Sequence, residues 1–215
     1  MDTRQALDGR AVGIMLILCL IWGLQQVVLK AAAPDISPLM QIALRSGISA
    51  ALVGALMFWR GERLSLADDN LRPGLLVGCL FAVEFLLVGE GLRFTSASHM
   101  VVFLYTAPIF VALGLHRKLP AERLSMLQWL GIAVSFTGIV VTFFGRSQQT
   151  TVGEPMDILW GDFLALMAGV AWGATTVVVR TSSLARAPAT QTLLYQLVVG
   201  FVLLLLAAIV LGQTS

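Results

Sequence analysis

The chain is predicted to be an all-α, polytopic membrane protein, a bundle of seven transmembrane helices, and three observations predict it. Its 215 residues are 58% hydrophobic and only 12% charged, where an ordinary soluble domain is about 25% charged. Seven apolar stretches, at 11–32, 39–59, 72–92, 96–116, 125–144, 158–180 and 190–211, each approach the roughly 20 residues that a helix needs to cross about 30 Å of hydrocarbon. The basic residues fall between them asymmetrically. With a cytoplasmic amino terminus, the inner segments hold Arg4, Arg10, Arg60, Arg63, Arg72, Arg117, Lys118, Arg123, Arg180 and Arg186, against Lys30, Arg93 and Arg146 outside. That positive-inside bias puts the amino terminus in and the carboxyl end out.

The first stretch follows Arg4 and Arg10 and runs into Ala31-Ala32-Ala33, which superficially resembles a secretory leader; its apolar part is too long for one. The second begins after Pro38 and carries Arg45. The third contains Glu84 within LFAVEFLLV, and a charge near the bilayer centre costs roughly 3 kcal/mol, so Glu84 is expected to face a partner or water. In the fourth, Pro108 of YTAPIF lacks a backbone donor and is expected to kink the helix, as a hinge or merely as shape. The fifth is uninterrupted. The sixth carries GVAWG, with a GxxxG face from Gly169 to Gly173 suited to close helix packing. Trp59 and Trp160 stand where interfacial anchors collect. Cys19 and Cys79 lie within spans without metal or disulfide spacing, and are expected to fill packing positions.

Residues 20–45, LIWGLQQVVLKAAAPDISPLMQIALR, align without a gap on residues 170–195, VAWGATTVVVRTSSLARAPATQTLLY. Trp22 meets Trp172, Gly23 meets Gly173, Pro38 meets Pro188 and Gln41 meets Gln191. Chance among apolar residues would match Leu and Val, not a Trp-Gly pair, a proline and a glutamine in one register; the chain is expected to contain a duplication. Five spans separate the copies, an odd number, so the second enters the membrane from the opposite side. Inverted repeats of this kind are common in secondary transporters, where similar halves of opposite orientation give similar energies to two packings.

The stretch LRFTSASHMVVFLYTAPIFVALG, then ERLSMLQWLGIAVSFTGIVV, with the mid-span Trp-Gly pairs, resembles the EamA type of the drug/metabolite transporter superfamily. The resemblance implies ten-helix carriers of amino acids, other metabolites or drugs in the cell's inner (plasma) membrane, and it divides the chain into a first five-helix unit at 1–146, an outer linker at 147–157 and a partial second unit at 158–215. Three spans of that pattern are absent from this sequence. A truncated chain and one completed by a second copy, as a homodimer, are both expectations that follow.

Arg45 and Glu84 are expected at roughly 9 and 12 Å from the outer surface by helical rise, with Gln25, Gln26 and Tyr105 in the same outer layer. Either they pack the bundle as an ion pair with hydrogen-bonding glutamines, or they line a wet cavity that binds an amine or carboxylate or lets Glu84 take up a proton. By the repeat, Thr175 and Tyr195 would form a neutral inner end. Trp22 and Trp172, away from the interfaces, are either packing or an aromatic wall around an organic solute.

Enzyme chemistry finds no motif: no HExxH, no phosphate-cradling glycine loop, no GxSxG elbow, and two histidines, His99 and His116, near opposite ends of one span. No cofactor or metal is expected, and the partners are a small solute and the lipid bilayer, not nucleic acid. The expected function is a secondary transporter of a small organic solute by alternating access, with export implied by the resemblance. Its rivals are a non-transporting scaffold, an inactive fragment, and an intramembrane enzyme using Glu84 as acid or base.

Overall fold

In the computed structural model, residues 9–32, 35–62, 68–119, 124–144 and 155–213 are described. They form helices α1 (Gly9–Ala32), α2 (Pro38–Trp59), α3 (Asp68–Gly91), α4 (Ala97–Leu104), α5 (Ala107–Lys118), α6 (Met126–Phe144), α7 (Pro155–Thr181) and α8 (Ala189–Val210), with one 3-10 turn at Ser183–Arg186. Every predicted span is helical. Five rods among the described residues, with α4 and α5 counted together, are long and apolar enough to cross a membrane. The chain is an all-α, polytopic membrane protein.

Local sequence sets the helix ends. Ser37 caps α2 by accepting from the Met40 amide, and Pro38 follows at the first helical position, where a missing N–H is no loss. Both α2 and α8 run for 22 residues and stop on a glycine in the left-handed region, Gly61 at φ 68° and Gly212 at φ 67°. In each, the residue after the glycine closes the end by donating to a carbonyl in the last turn, Glu62 to Met57 and Gln213 to Ala208.

Small residues decide the packing. α8 lies against both α2 and α3, and α7 lies against α3 and the α4–α5 rod. α1 touches α2 and α6 touches α4 at the flanks. Leu39, Ile42, Ala43, Ala82, Leu204 and Ala208 form the core where α2, α3 and α8 meet. A second core joins Val88, Met100, Ala165 and Ala168 from α3, α4 and α7. At Gly78 on α3, a Cβ would stand 2.5 Å from Cβ of Val199 and 2.9 Å from the carbonyl oxygen of Tyr195. Only glycine allows α3 and α8 that approach, the device by which helices gain contact where lipid offers no hydrophobic drive.

Hydrogen bonds at the two ends fix the relative sense of α2, α3 and α8. At one end, Ser37 at the start of α2 donates to the Gln213 carbonyl after α8, and the Gln213 amide donates to Glu90 near the end of α3. At the other, Thr190 near the start of α8 donates to Glu62 after α2, and Ser183 donates to the carbonyl of Asp69 at the start of α3. α2 and α8 are therefore antiparallel neighbours.

One expectation is sharpened and another corrected. The kink expected from Pro108 takes the form of a break: α4 ends at Leu104, α5 begins at Ala107, and the helix is interrupted at Tyr105–Thr106, just before Pro108. The proline ring crowds the carbonyl four residues back, that of Leu104, and offers it no N–H. The Thr106 hydroxyl folds back to donate to Phe103 O at 2.6 Å. Cys19 and Cys79 are exposed on helix surfaces rather than filling packing positions. Pro108→Ala is expected to carry the helix through the break, with hydrogen-exchange protection appearing across residues 105–109. Unchanged exchange would assign the break to packing against α7 instead.

Candidate functional site

Arg45 of α2 and Glu84 of α3 each lie about two turns, roughly 10 Å, from the helix ends at Pro38 and Gly91. Those ends belong to the same face of the bundle, so antiparallel packing brings the two side chains to one depth. Glu84 is buried, at 6% exposure. The Arg45 guanidinium lies over the Phe85 ring, 4.9 Å from its centroid, and it interacts electrostatically with Glu84. Among the described residues, no direct hydrogen bond or ion pair closes the two charges on each other. An arginine face is well matched to an aromatic ring, and that contact holds the cation while leaving its edge N–H groups available.

Tyr105 and Trp172 also meet, in an edge-on contact with ring centroids 6.2 Å apart. Tyr105 reaches Trp172 because the α4–α5 break lies there and because α7 comes close. A Cβ on Gly169 would stand 2.8 Å from Thr106 Oγ1 and 2.9 Å from Phe103 O. One on Gly173 would stand 2.7 Å from Phe110 Cβ. The glycines of GVAWG thus pack helices, and the tryptophan between them is carried to the broken span. Tyr105 therefore belongs to this aromatic contact rather than to the Arg45–Glu84 pair.

Thr175 is buried, and its hydroxyl donates to the Ala171 carbonyl of its own helix at 2.9 Å. The Tyr195 ring lies against Gly74 of α3, where a Cβ would stand 2.8 Å from it. The side chains of Trp22, Gln25 and Gln26 lie outside the described residues. Sequence reasoning missed a third constellation. Thr95 Oγ1 donates to Asp162 Oδ1 at 2.6 Å, and His99 Nδ1 stands 3.0 Å from Oδ2 and 3.1 Å from Oδ1. All three residues are buried. Asp162 was findable by the logic that singled out Glu84, since it is the one carboxylate in the 158–180 stretch. Among the described residues, no three His, Cys, Asp or Glu side chains form a metal-ligand group.

Residues 9–144, covering α1 to α6, match the EamA-like transporter family. The chain belongs to that family. This EamA-like chain is similar to the uncharacterized transporter YoaV of Bacillus subtilis, 26% identical over 159 residues, which cover 74% of the chain and 53% of YoaV. It is likewise similar to the uncharacterized inner membrane transporter YedA of Escherichia coli K12, 28% identical over 172 residues, which cover 77% of the chain and 51% of YedA. The chain spans about half the length of the curated relatives it matches. No solved structure matches it. The matched region contains Arg45, Glu84 and Tyr105, whereas Asp162 and Trp172 lie beyond it on α7.

Proposed function

We propose that this EamA-like chain is part of a carrier that moves a small organic solute across the inner membrane by alternating access, with its amino terminus cytoplasmic and export as the direction. The observation that carries this reading is the Arg45–Glu84 pair: two opposite charges at one depth inside the spans, attracted but not closed on each other. Charged residues within transmembrane segments ordinarily mark a solute or ion path, because lipid does not compensate them. A solute with a carboxylate, an amine or both fits between them, and the Tyr105–Trp172 contact offers an aromatic surface nearer mid-span.

The inverted repeat, with the division at 1–146, 147–157 and 158–215, belongs to the same proposal. Its support is the antiparallel packing of α2 and α8, their equal length and their matching glycine ends. The name given to YedA, an inner membrane transporter, supports the location. A second copy or further helices would supply the rest of the cavity wall. The test is flux of amino acids and related metabolites by the chain in proteoliposomes. Transport is expected, with a loss of at least about tenfold, or 1.4 kcal/mol, in Trp172→Ala. No flux of any solute, with the protein folded and inserted, would leave the scaffold reading in its place.

A further inference from the structure

The buried cluster of Thr95, His99 and Asp162 lies apart from the Arg45–Glu84 pair and joins two different rods. His99 is on α4, Asp162 on α7, and Thr95 in the turn before α4. A carboxylate only accepts hydrogen bonds, so an imidazole nitrogen bonded to it must be the donor. With both Asp162 oxygens facing Nδ1, the proton on that nitrogen is fixed, and Nε2 is the atom that gains or loses one. Imidazole is the side chain that ordinarily changes charge between about pH 5 and pH 8.

We propose that His99 and Asp162 form a proton-binding latch that holds the start of α4 on α7, closed when His99 is protonated and released when it is not. This rests on the carrier reading above and assigns that carrier a proton as regulator or coupling ion. With Nε2 protonated, imidazolium and carboxylate cancel. Once the proton leaves, a net negative charge remains on a carboxylate buried at 9% exposure; the Thr95 hydroxyl and the Nδ1–H still donate to it, but the cancelling charge is gone and added water stabilises the carboxylate further. Water enters if α4 lifts. α4 can lift as a unit because it is a helix of only 8 residues, bounded at its far end by the break at Tyr105–Thr106 and capped at its near end by its own Ser96.

Among the described residues, the other charged side chains of the packed elements are engaged or placed elsewhere. In the turn after α3, Arg93 is engaged with Glu90 at 2.8 Å, and on α3 Glu84 lies deeper, interacting with Arg45. On α7, Asp157 is in the exposed first turn and Arg180 is at the opposite end. α4 has no titratable side chain besides His99, and α6 has none over 126–144.

The test places spin labels at Ser98→Cys on α4 and Arg186→Cys at the opposite end of the bundle, in a chain carrying Cys19→Ser and Cys79→Ser, reconstituted in lipid nanodiscs. Between about pH 5.5 and pH 8, the range over which imidazole switches, the distance distribution is expected to gain a second component displaced by several ångström. His99→Gln keeps an amide donor to Asp162 but takes no proton, and is expected to hold one distribution at all pH values. Asp162→Asn is expected to lose the pH dependence as well. A parent distribution that does not move with pH, or the same movement retained in His99→Gln, would overturn the latch. The measurement needs no solute, so absent flux with a moving α4 would count against the carrier reading alone.

Discussion

Arg45→Ala is expected to lower the stability of the folded chain by about 3 kcal/mol, and the joint replacement Arg45→Met with Glu84→Leu to recover most of that loss. Removing the arginine strips Glu84 of the charge that faces it and leaves a buried carboxylate uncompensated. Replacing both charges by apolar side chains of similar volume removes the problem altogether. Unfolding in mixed micelles gives the stability, and flux in proteoliposomes gives the function. The carrier reading expects the double variant to be stable and silent, with transport down at least about a hundredfold, or 2.7 kcal/mol. A double variant that is stable and still transports would make the pair a packing device.

The second large effect is expected at Gly78. A Leu there must displace the Val199 Cβ and the Tyr195 carbonyl, neither of which is the mobile tip of a side chain. α3 and α8 would have to separate along the seam that also includes Gly74 against Tyr195 and Gly200 against Phe81. Overpacking of this kind costs about 3 kcal/mol, enough to show as aggregation on size-exclusion chromatography of the detergent-solubilised chain. Gly54→Leu is the control, because a Cβ at Gly54 meets nothing within 4 Å. If the two variants behave alike, the seam does not depend on close approach, and the account of the α3–α8 packing fails.

How much of the site could be read from the sequence depended on the kind of residue. Glu84 and Arg45 announced themselves because a charge in an apolar run is costly wherever the helix sits, and depth follows from counting residues at a fixed rise. Asp162 gave the same signal. His99 gave none, since a histidine near the end of a span is ordinary, and only its position across from α7 makes it part of a cluster. The Tyr105–Trp172 contact was half legible: both residues stood out, but their meeting depends on the break before Pro108 and on two glycines that let α7 approach it.

By itself, the sequence determined an all-α membrane protein, the seven apolar stretches that become helical, and how far along each helix its charges stand. These properties depend on local composition, capping and helical rise, which act within one segment. The tertiary structure alone decided which rods are neighbours, that α8 lies between α2 and α3, that the broken fourth span packs on α7, and that Asp162 meets His99. In lipid every apolar face is tolerated equally, so hydrophobicity cannot choose a partner. That choice falls to shape and to buried polar groups seeking one another, and both exist only once the helices are side by side.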